Sequence, residues 1–344
     1  MPGSTTSNTA SRPVHVFLDF DGTITKEDTI AALGEWASTL NDKNNIWLSH
    51  CNWYNAETEK FDEAHRIDFT TDGLKGLGQL GLQHLIHANI NDRIQIERQS
   101  VELINGYRLF QNLPPQALYK AAQYNMAETS ENRIEIRNGF GDLLKYLTAK
   151  KSEVTVLSVN WSEDWIKGCI CPHNLNVISN TIRYGRIQGP GPKLTDDPHG
   201  LLLTGGHKLM AMNAARDRLP NLGAGLTYVY IGDSKTDLPC MLECDKAILM
   251  VDEDPAIKPN FVATALTAMG HQVQHISQVG PDFRFAWAKD FTEILRSGNL
   301  APGVPAESGV PAEPGVPDEA DVPAEADVSA ETDSDSVLES VEMD

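Results

Sequence analysis

Short apolar runs that alternate with helical patterns constrain this chain most. Residues 14–20 (VHVFLDF), 153–159 (EVTVLSV), 176–182 (NVISNTI), 226–233 (LTYVYIGD) and 246–251 (KAILMV) are β-rich, apolar and four to eight residues long, as buried strands are. Helical stripes lie between them. Phe140, Leu143, Leu144 and Leu147 fall at i, i+3, i+4 and i+7, residues 206–219 carry a second stripe, and Trp287, Phe291, Ile294 and Leu295 mark a last helix. Strands that are apolar on both faces and alternate with helices imply a mainly parallel sheet covered on both sides.

One block interrupts the alternation. Between about residues 28 and 133 the pattern is helical, with Ile30, Leu33, Ala37 and Leu40 on one face, Ile90, Ile94, Val101 and Ile104 on another, and Leu118, Ala121, Ala122 and Met126 behind Pro114-Pro115. The expected architecture is α/β, a Rossmann-like three-layer core with an inserted all-helical domain. Its parts are a flexible N-terminal arm (1–12), a core (13–28 and 134–298), a helical cap (29–133) and an acidic tail (299–344). The tail holds thirteen of the 48 Asp and Glu residues, no Lys or Arg, and an approximate Val-Pro-Ala-Glu repeat without aromatics. Such a segment buries too little to fold alone and is expected to be disordered. It reads either as a solvating tail or as a segment for a protein partner. Removing its share from the net charge of −20 leaves the rest moderately acidic. With no basic stripe, nucleic acid is not an expected partner. No run approaches membrane-spanning length, so a membrane is not expected either. The first twelve residues are Ser/Thr-rich with no apolar segment, which is neither a secretory signal nor a transit peptide. Five cysteines without disulfide-framework spacing suggest a reducing cytoplasmic setting, with a nuclear location left open. Cys169 and Cys171, with His173 nearby, are a conceivable metal group, and ordinary loop or core cysteines are the simpler reading.

In a parallel sheet the strand ends collect ligands. Here they carry Asp19-Phe20-Asp21-Gly22-Thr23, Ser158-Val159-Asn160, and Gly232-Asp233-Ser234 with Asp237 four residues on. Lys208 follows a Gly-Gly turn at a helix start. Several carboxylates in one small space stay ionised together only beside a cation, and Mg2+ suits oxygen ligands. Asp19 can then act as nucleophile, Asp21 as general acid/base, and Ser158 and Lys208 as partners of phosphoryl oxygens. Gly22 lets the backbone approach an oxyanion closely.

The ordered set DFDGT, Ser158, Lys208 and GDSKTD resembles the four motifs of the haloacid dehalogenase superfamily, over about residues 13–298. The insertion after the first motif resembles the phosphoserine phosphatase-like subclass with a helical cap, and VLSVNWSEDWI and YIGDSKTDLPCM resemble a mainly fungal phosphatase-like branch. The resemblance implies Mg2+-dependent hydrolysis of a small phosphorylated metabolite through an aspartyl-phosphate on Asp19. It makes Asp21 the general acid/base and assigns Thr23, Ser158 and Lys208 to phosphate, and Asn160, outside the family's pattern, is read as a further donor to the substrate's phosphate. It assigns Asp19, Asp21 (by its carbonyl), Asp233 and Asp237 to the metal. Where phosphoserine phosphatases usually carry glycines after the second-motif serine, this chain has Val159-Asn160-Trp161-Ser162. Trp161 and Trp165 are expected to form an apolar wall there, which puts phosphoserine itself in doubt. Other readings are a phosphomutase, a phosphonatase, a dehalogenase (which would not need Asp21), or a non-catalytic scaffold with an acidic interaction tail. Glu27 and Asp28 lie at the cap entrance, with helix capping the simpler role for Asp28. Trp36, Trp47, Trp53 and Tyr54 read as helix packing rather than a ligand box, and Arg93, Arg98, Arg133 and Arg137 as surface or ion-paired groups rather than substrate contacts. The sequence leaves oligomeric state open.

Overall fold

The computed structural model describes residues 14–69, 74, 76–127, 133–191, 193–218 and 226–300. The expected arm and all but the first two residues of the expected tail lie outside these.

Among the described residues seven strands form one sheet in the order β3-β2-β1-β6-β7-β9-β8, every neighbouring pair parallel. They are β1 (Val14–Leu18), β2 (Glu153–Leu157), β3 (Asn176–Ile178), β6 (Thr227–Gly232), β7 (Lys246–Met250), β8 (Gln274–His275) and β9 (Phe285–Ala288). A separate antiparallel hairpin joins β4 (Thr181–Arg183) to β5 (Arg186–Gln188). Between β1 and β2 come α1 (Ile30–Leu40), α2 (Asn44–Ala64), α3 (Gly78–Asp92), α4 (Ile94–Gly106), α5 (Pro115–Asn125) and α6 (Phe140–Ala149). After β2 follow α7 (Glu163–Cys169), α8 (Gly205–Asp217), α9 (Leu238–Glu243), α10 (Phe261–Ala268) and α11 (Phe291–Ser297).

The apolar strands are buried on both faces for the reason the sequence suggests. Val14, Val16 and Leu18 of β1 share one hydrophobic cluster with Phe140 and Leu143 of α6 and Phe291 and Ile294 of α11. Phe17 points the other way, into a second cluster with Met212 of α8, Met241 of α9 and Leu266 of α10. Side-chain alternation along each strand thus feeds two helix layers. Caps set several helix starts. Ser162, Thr204, Asn260 and Asp290 each accept a backbone N–H of the first turn through the side chain.

Four sequence expectations change. Residues 176–182 are two strands, because Ser179-Asn180 leaves the sheet. The buried Asn180 amide replaces the ladder, donating to the carbonyls of Val159, Asn160 and Leu202 and accepting from Leu202 N–H. Trp287 belongs to β9 rather than the last helix. Residues 285–288 are all buried and pair with β7, and Asp290 starts the helix only afterwards. The face Ile90–Ile104 is broken at Arg93 into α3 and α4, and Leu40 points outward. Finally, Asn299 and Leu300 extend the folded unit past 298. Leu300 is buried, and the Asn299 amide donates to the carbonyls of Ile276 and Val279.

The helical segment joins the core through two paired linkers. Thr25 and Ile136 form an isolated antiparallel bridge, Lys26 N–H donates to Glu135 O, and Arg137 N–H to Ile24 O. Its helices also dock directly. Gly168 of α7 lets α5 approach so closely that a Cβ there would lie 2.4 Å from Tyr119 O. The Asn105 amide pairs with both backbone groups of Ile187 in β5.

Candidate active site

Strand register brings the motif residues together. Leu18 pairs with Val156 on one side and Ile231 on the other, so Asp19, Ser158 and Asp233 all emerge just past the same edge of three adjacent strands. The chain passes to β2 and β3 on one side of β1, then crosses to β6 on the other. That is the switch point at which parallel sheets open a crevice.

Lys208 lies one turn into α8. It is fully buried, with Nζ donating to Asp19 Oδ1 at 2.7 Å and to Asp237 Oδ1 at 2.6 Å. The two carboxylates hold the ammonium in its charged form, pushing it above the usual lysine range against the opposing effect of burial. Burial and the neighbouring Asp237 push Asp19 up, and Lys208 opposes them. Asp237 has no oxygen to spare. Tyr230 OH donates to Oδ1, and Asp233 N–H, Ser234 N–H and Ser234 Oγ donate to Oδ2. Gly232 is required here, since a Cβ would lie 2.5 Å from Asp237 Cγ.

Asp233 receives the Thr23 hydroxyl on Oδ1 at 3.0 Å and is pushed up to about 7 by burial and by Asp237. Gly22 sits above it with φ +74°, and a Cβ there would lie 2.4 Å from Asp233 Oδ2. Both the conformation and the contact demand glycine. Behind this loop, the Arg137 guanidinium donates twice to Gly22 O, at 3.1 and 2.8 Å, and also to Asp252 and Lys289 O.

Asp21 is held on both oxygens. Oδ1 accepts Thr29 N–H at 2.8 Å and Thr29 Oγ1 at 2.7 Å, and Oδ2 accepts Asn160 Nδ2 at 2.8 Å. Burial and the nearby Asp28 carboxylate nevertheless push it up to about 7, which suits a group that must both give and take a proton near neutrality.

The cleft above these groups has a volume of about 310 Å³. Asp19, Asp21, Ser158 and Asp233 line its floor, and Tyr54, Arg93, Glu97 and Val101 of the helical segment line its roof. Arg93 Nη2 donates to Tyr54 OH at 3.0 Å, and its Nε lies 2.9 Å from Glu97.

The sequence-assigned residues therefore divide. Asp19, Asp21, Ser158, Lys208, Asp233 and Asp237 converge. Thr23 and Asn160 are fully buried and turned to other partners, Thr23 to Asp233 and Asn160 to Asp21 and Thr29, because those carboxylates need donors more than the open cleft does. Trp161 lines the cleft, whereas Trp165 is buried with its indole N–H donating to Thr29 Oγ1. Arg137 is nearly buried rather than superficial, and Arg98 is engaged by the buried Asp197. Asp28 accepts Ile30 N–H at 2.7 Å and also faces the cleft. Sequence reading missed Thr29, Tyr230 and the inward role of Arg137. Only the position of Thr29 immediately before a helical stripe could have signalled it.

Among the described residues, Asp19, Asp233 and Asp237 are the group of carboxylates whose oxygens converge closely enough for one ion, within 4.8 Å. The set fits a hard dication. Asp19 Oδ2 and Asp233 Oδ2 accept no hydrogen bond from the described residues, whereas Asp237 is saturated. Cys169 is buried and Cys171 exposed, and they form no such group.

A seven-stranded parallel sheet, a helical insertion after its first strand, and an aspartate pair, serine, lysine and third aspartate brought together at its carboxyl edge agree with the α/β architecture that the haloacid dehalogenase resemblance implies. No family model matches the chain. Among curated proteins it is similar to Cold tolerance protein 1 of Saccharomyces cerevisiae, 23% identical over 295 residues that cover 79% of this chain and 89% of the yeast protein. Among solved structures it is similar to a phospho-aspartyl intermediate analogue of phosphoserine phosphatase (15% identity, TM-score 0.43, 83% of this chain and 98% of that one). It is also similar to a phosphoserine phosphohydrolase-like protein from Francisella tularensis (14% identity, TM-score 0.43, 82% and 98%). Among the described residues no helix is long and apolar enough to cross a membrane.

Proposed function

We propose that the protein is a phosphomonoesterase that uses Asp19 as nucleophile, takes Mg2+, and hydrolyses a small phosphorylated metabolite. The observation that supports this most is the buried Lys208 ammonium shared by Asp19 and Asp237. It fixes one oxygen of Asp19 and leaves the other toward a cleft that also contains Asp21, Ser158 and Asp233.

Asp19 attacks phosphorus through a carboxylate oxygen, forming the aspartyl-phosphate as the P–O bond to the alcohol breaks. Asp21, protonated near neutral pH, gives its proton to the departing oxygen. As a carboxylate it then takes a proton from the water that cleaves the acyl-phosphate, so Asp19 and inorganic phosphate are regenerated. The Ser158 hydroxyl and Lys208 supply donors around the phosphoryl oxygens. Asp19, Asp233 and the Asp21 carbonyl would hold the metal, which when bound offsets the carboxylate charge and polarises the phosphoryl group. The roof of helices excludes bulk water from the cleft.

Phosphate release from p-nitrophenyl phosphate with Mg2+, in wild type, in Asp19→Asn and after EDTA, tests this. Turnover that falls on the order of 10³-fold or more in the variant, and that EDTA abolishes and Mg2+ restores, is expected. Absence of turnover in wild type over a panel of phosphomonoesters would overturn the enzyme reading. Equal turnover in wild type and Asp19→Asn would overturn the role of Asp19.

A further inference from the structure

Beside the catalytic cleft lies a second chamber of about 280 Å³. It shares Asp28, Ile30, Tyr54, Glu97 and Trp161 with the cleft, so the two are adjoining parts of one space. Its walls are aromatic. Trp47 and Trp161 meet edge to face, ring centroids 6.3 Å apart at 83°, and form a fixed corner. His50 stacks against Trp47 at 5.8 Å and against Tyr54 at 6.4 Å. Gly34 secures the corner from behind, since a Cβ there would lie 2.3 Å from the Trp47 ring.

The charge of the chamber is one-sided. Asp28 and Glu97 line it, and burial lowers His50 to about 4, so its imidazole is neutral at physiological pH. Arg93 and Lys235, which line the adjoining cleft, are already engaged, Arg93 by Glu97 and Tyr54 and Lys235 by Asp62. Among the described residues no Lys or Arg lines the chamber.

The geometry points to this chamber as the subsite for the alcohol portion of the substrate, and to a leaving group that is an aromatic or heteroaromatic ring carrying no negative charge. The inference rests on the phosphomonoesterase reading above and names its substrate class. A flat ring gains edge and face contacts with rings already held in place, at little ordering cost. A leaving group that carries its own carboxylate or second phosphate would meet the Asp28 carboxylate, and a Glu97 already paired with Arg93, with no Lys or Arg on the chamber wall to offset it, in a partly desolvated space. Compact aliphatic alcohols would leave the aromatic corner unfilled.

The test compares benzyl phosphate, 4-carboxybenzyl phosphate and glycerol 3-phosphate with Mg2+. A kcat/KM for benzyl phosphate about tenfold or more above each of the others is expected, the size of effect an apolar pocket provides. Ala31, exposed at the chamber wall, provides the second arm. In Ala31→Trp the ratio of benzyl phosphate to glycerol 3-phosphate should fall toward one. Equal kcat/KM for the three esters in wild type, or an unchanged ratio in Ala31→Trp, would overturn the subsite. A readout without turnover separates this from failure of the phosphatase reading. Benzylphosphonate should quench tryptophan fluorescence in Asp19→Asn, and 4-carboxybenzylphosphonate at the same concentration should not. Quenching by both or by neither counts against the chamber, and quenching by the first alone supports it even if no ester is hydrolysed.

Discussion

Replacing Lys208 by methionine isolates the interaction on which the site depends. Methionine keeps most of the side-chain volume and removes the charge. Two carboxylates that are each almost wholly buried, Asp19 and Asp237, then lose an ammonium at 2.7 and 2.6 Å. Removing one partner from a buried ion pair costs about 3–5 kcal/mol, because the uncompensated charge stays in the interior. The remaining donors decide where the strain falls. Asp237 keeps Tyr230 OH and the three donors on Oδ2. Asp19 keeps none of comparable strength and is the group that must take a proton. A carboxyl whose folded-state pKa is raised binds more protons folded than unfolded, so the stability it contributes is present at low pH and lost as pH rises. Lys208 follows the same sign in wild type, at far higher pH. Its raised pKa contributes stability that is complete below the ordinary lysine value and lost only at strongly alkaline pH. The deficit of Lys208→Met should therefore be about 3–5 kcal/mol at pH 7.5 without added metal, on the order of 10 °C in Tm, and clearly smaller at pH 5. Urea unfolding at both pH values measures it. A second substitution, Asp19→Asn, should return more than half of the loss. A deficit below about 1 kcal/mol at pH 7.5, or one that is the same at both pH values, would refute the argument.

Three further outcomes follow from particular contacts. Gly22→Ala places a methyl 2.4 Å from Asp233 Oδ2 at a positive φ. It should cost about 1–3 kcal/mol by urea unfolding and lower kcat at least tenfold, whereas the exposed Gly270, also at positive φ but with open space around it, should tolerate alanine with intact turnover. Thr29→Val removes both the hydroxyl that donates to Asp21 and the acceptor for the Trp165 indole. That hydrogen bond lowers the Asp21 pKa, so its loss should move the alkaline limb of the kcat/KM profile upward from about 7, and an unmoved limb would show that Asp21 is not the acid observed. Asn180→Leu leaves Leu202 N–H and three backbone carbonyls without a buried partner and should destabilise by about 2–4 kcal/mol in thermal unfolding, with a normal KM in the fraction that folds.

Most of the sheet was legible because buried parallel strands are uniformly apolar, a pattern that needs no partner to be recognised. β1, β2, β6 and β7 are of this kind. β8 is two residues long and β9 lies one turn before a helix whose stripe absorbs Trp287, so local periodicity misassigned it. The candidate site was legible for a related reason. Asp19, Ser158 and Asp233 sit at fixed offsets from strand ends, and the ends of adjacent parallel strands must meet.

Sequence by itself determined the parallel α/β core, the inserted helices and the identities of six converging polar groups, since these follow from short-range pattern and strand polarity. Tertiary structure alone decided what each group faces. Thr23 and Asn160 have the right chemistry for phosphate and sit beside the right strands, yet the unpaired oxygens of Asp233 and Asp21 claim them. Thr29, Tyr230 and Arg137 reach the site from 8, 7 and 115 residues away from the groups they hold. The aromatic chamber joins Trp47, Tyr54 and Trp161 across a helix and a loop more than a hundred residues apart. Hydrogen-bond saturation and ring packing are properties of distance in space, and a sequence records only distance along the chain.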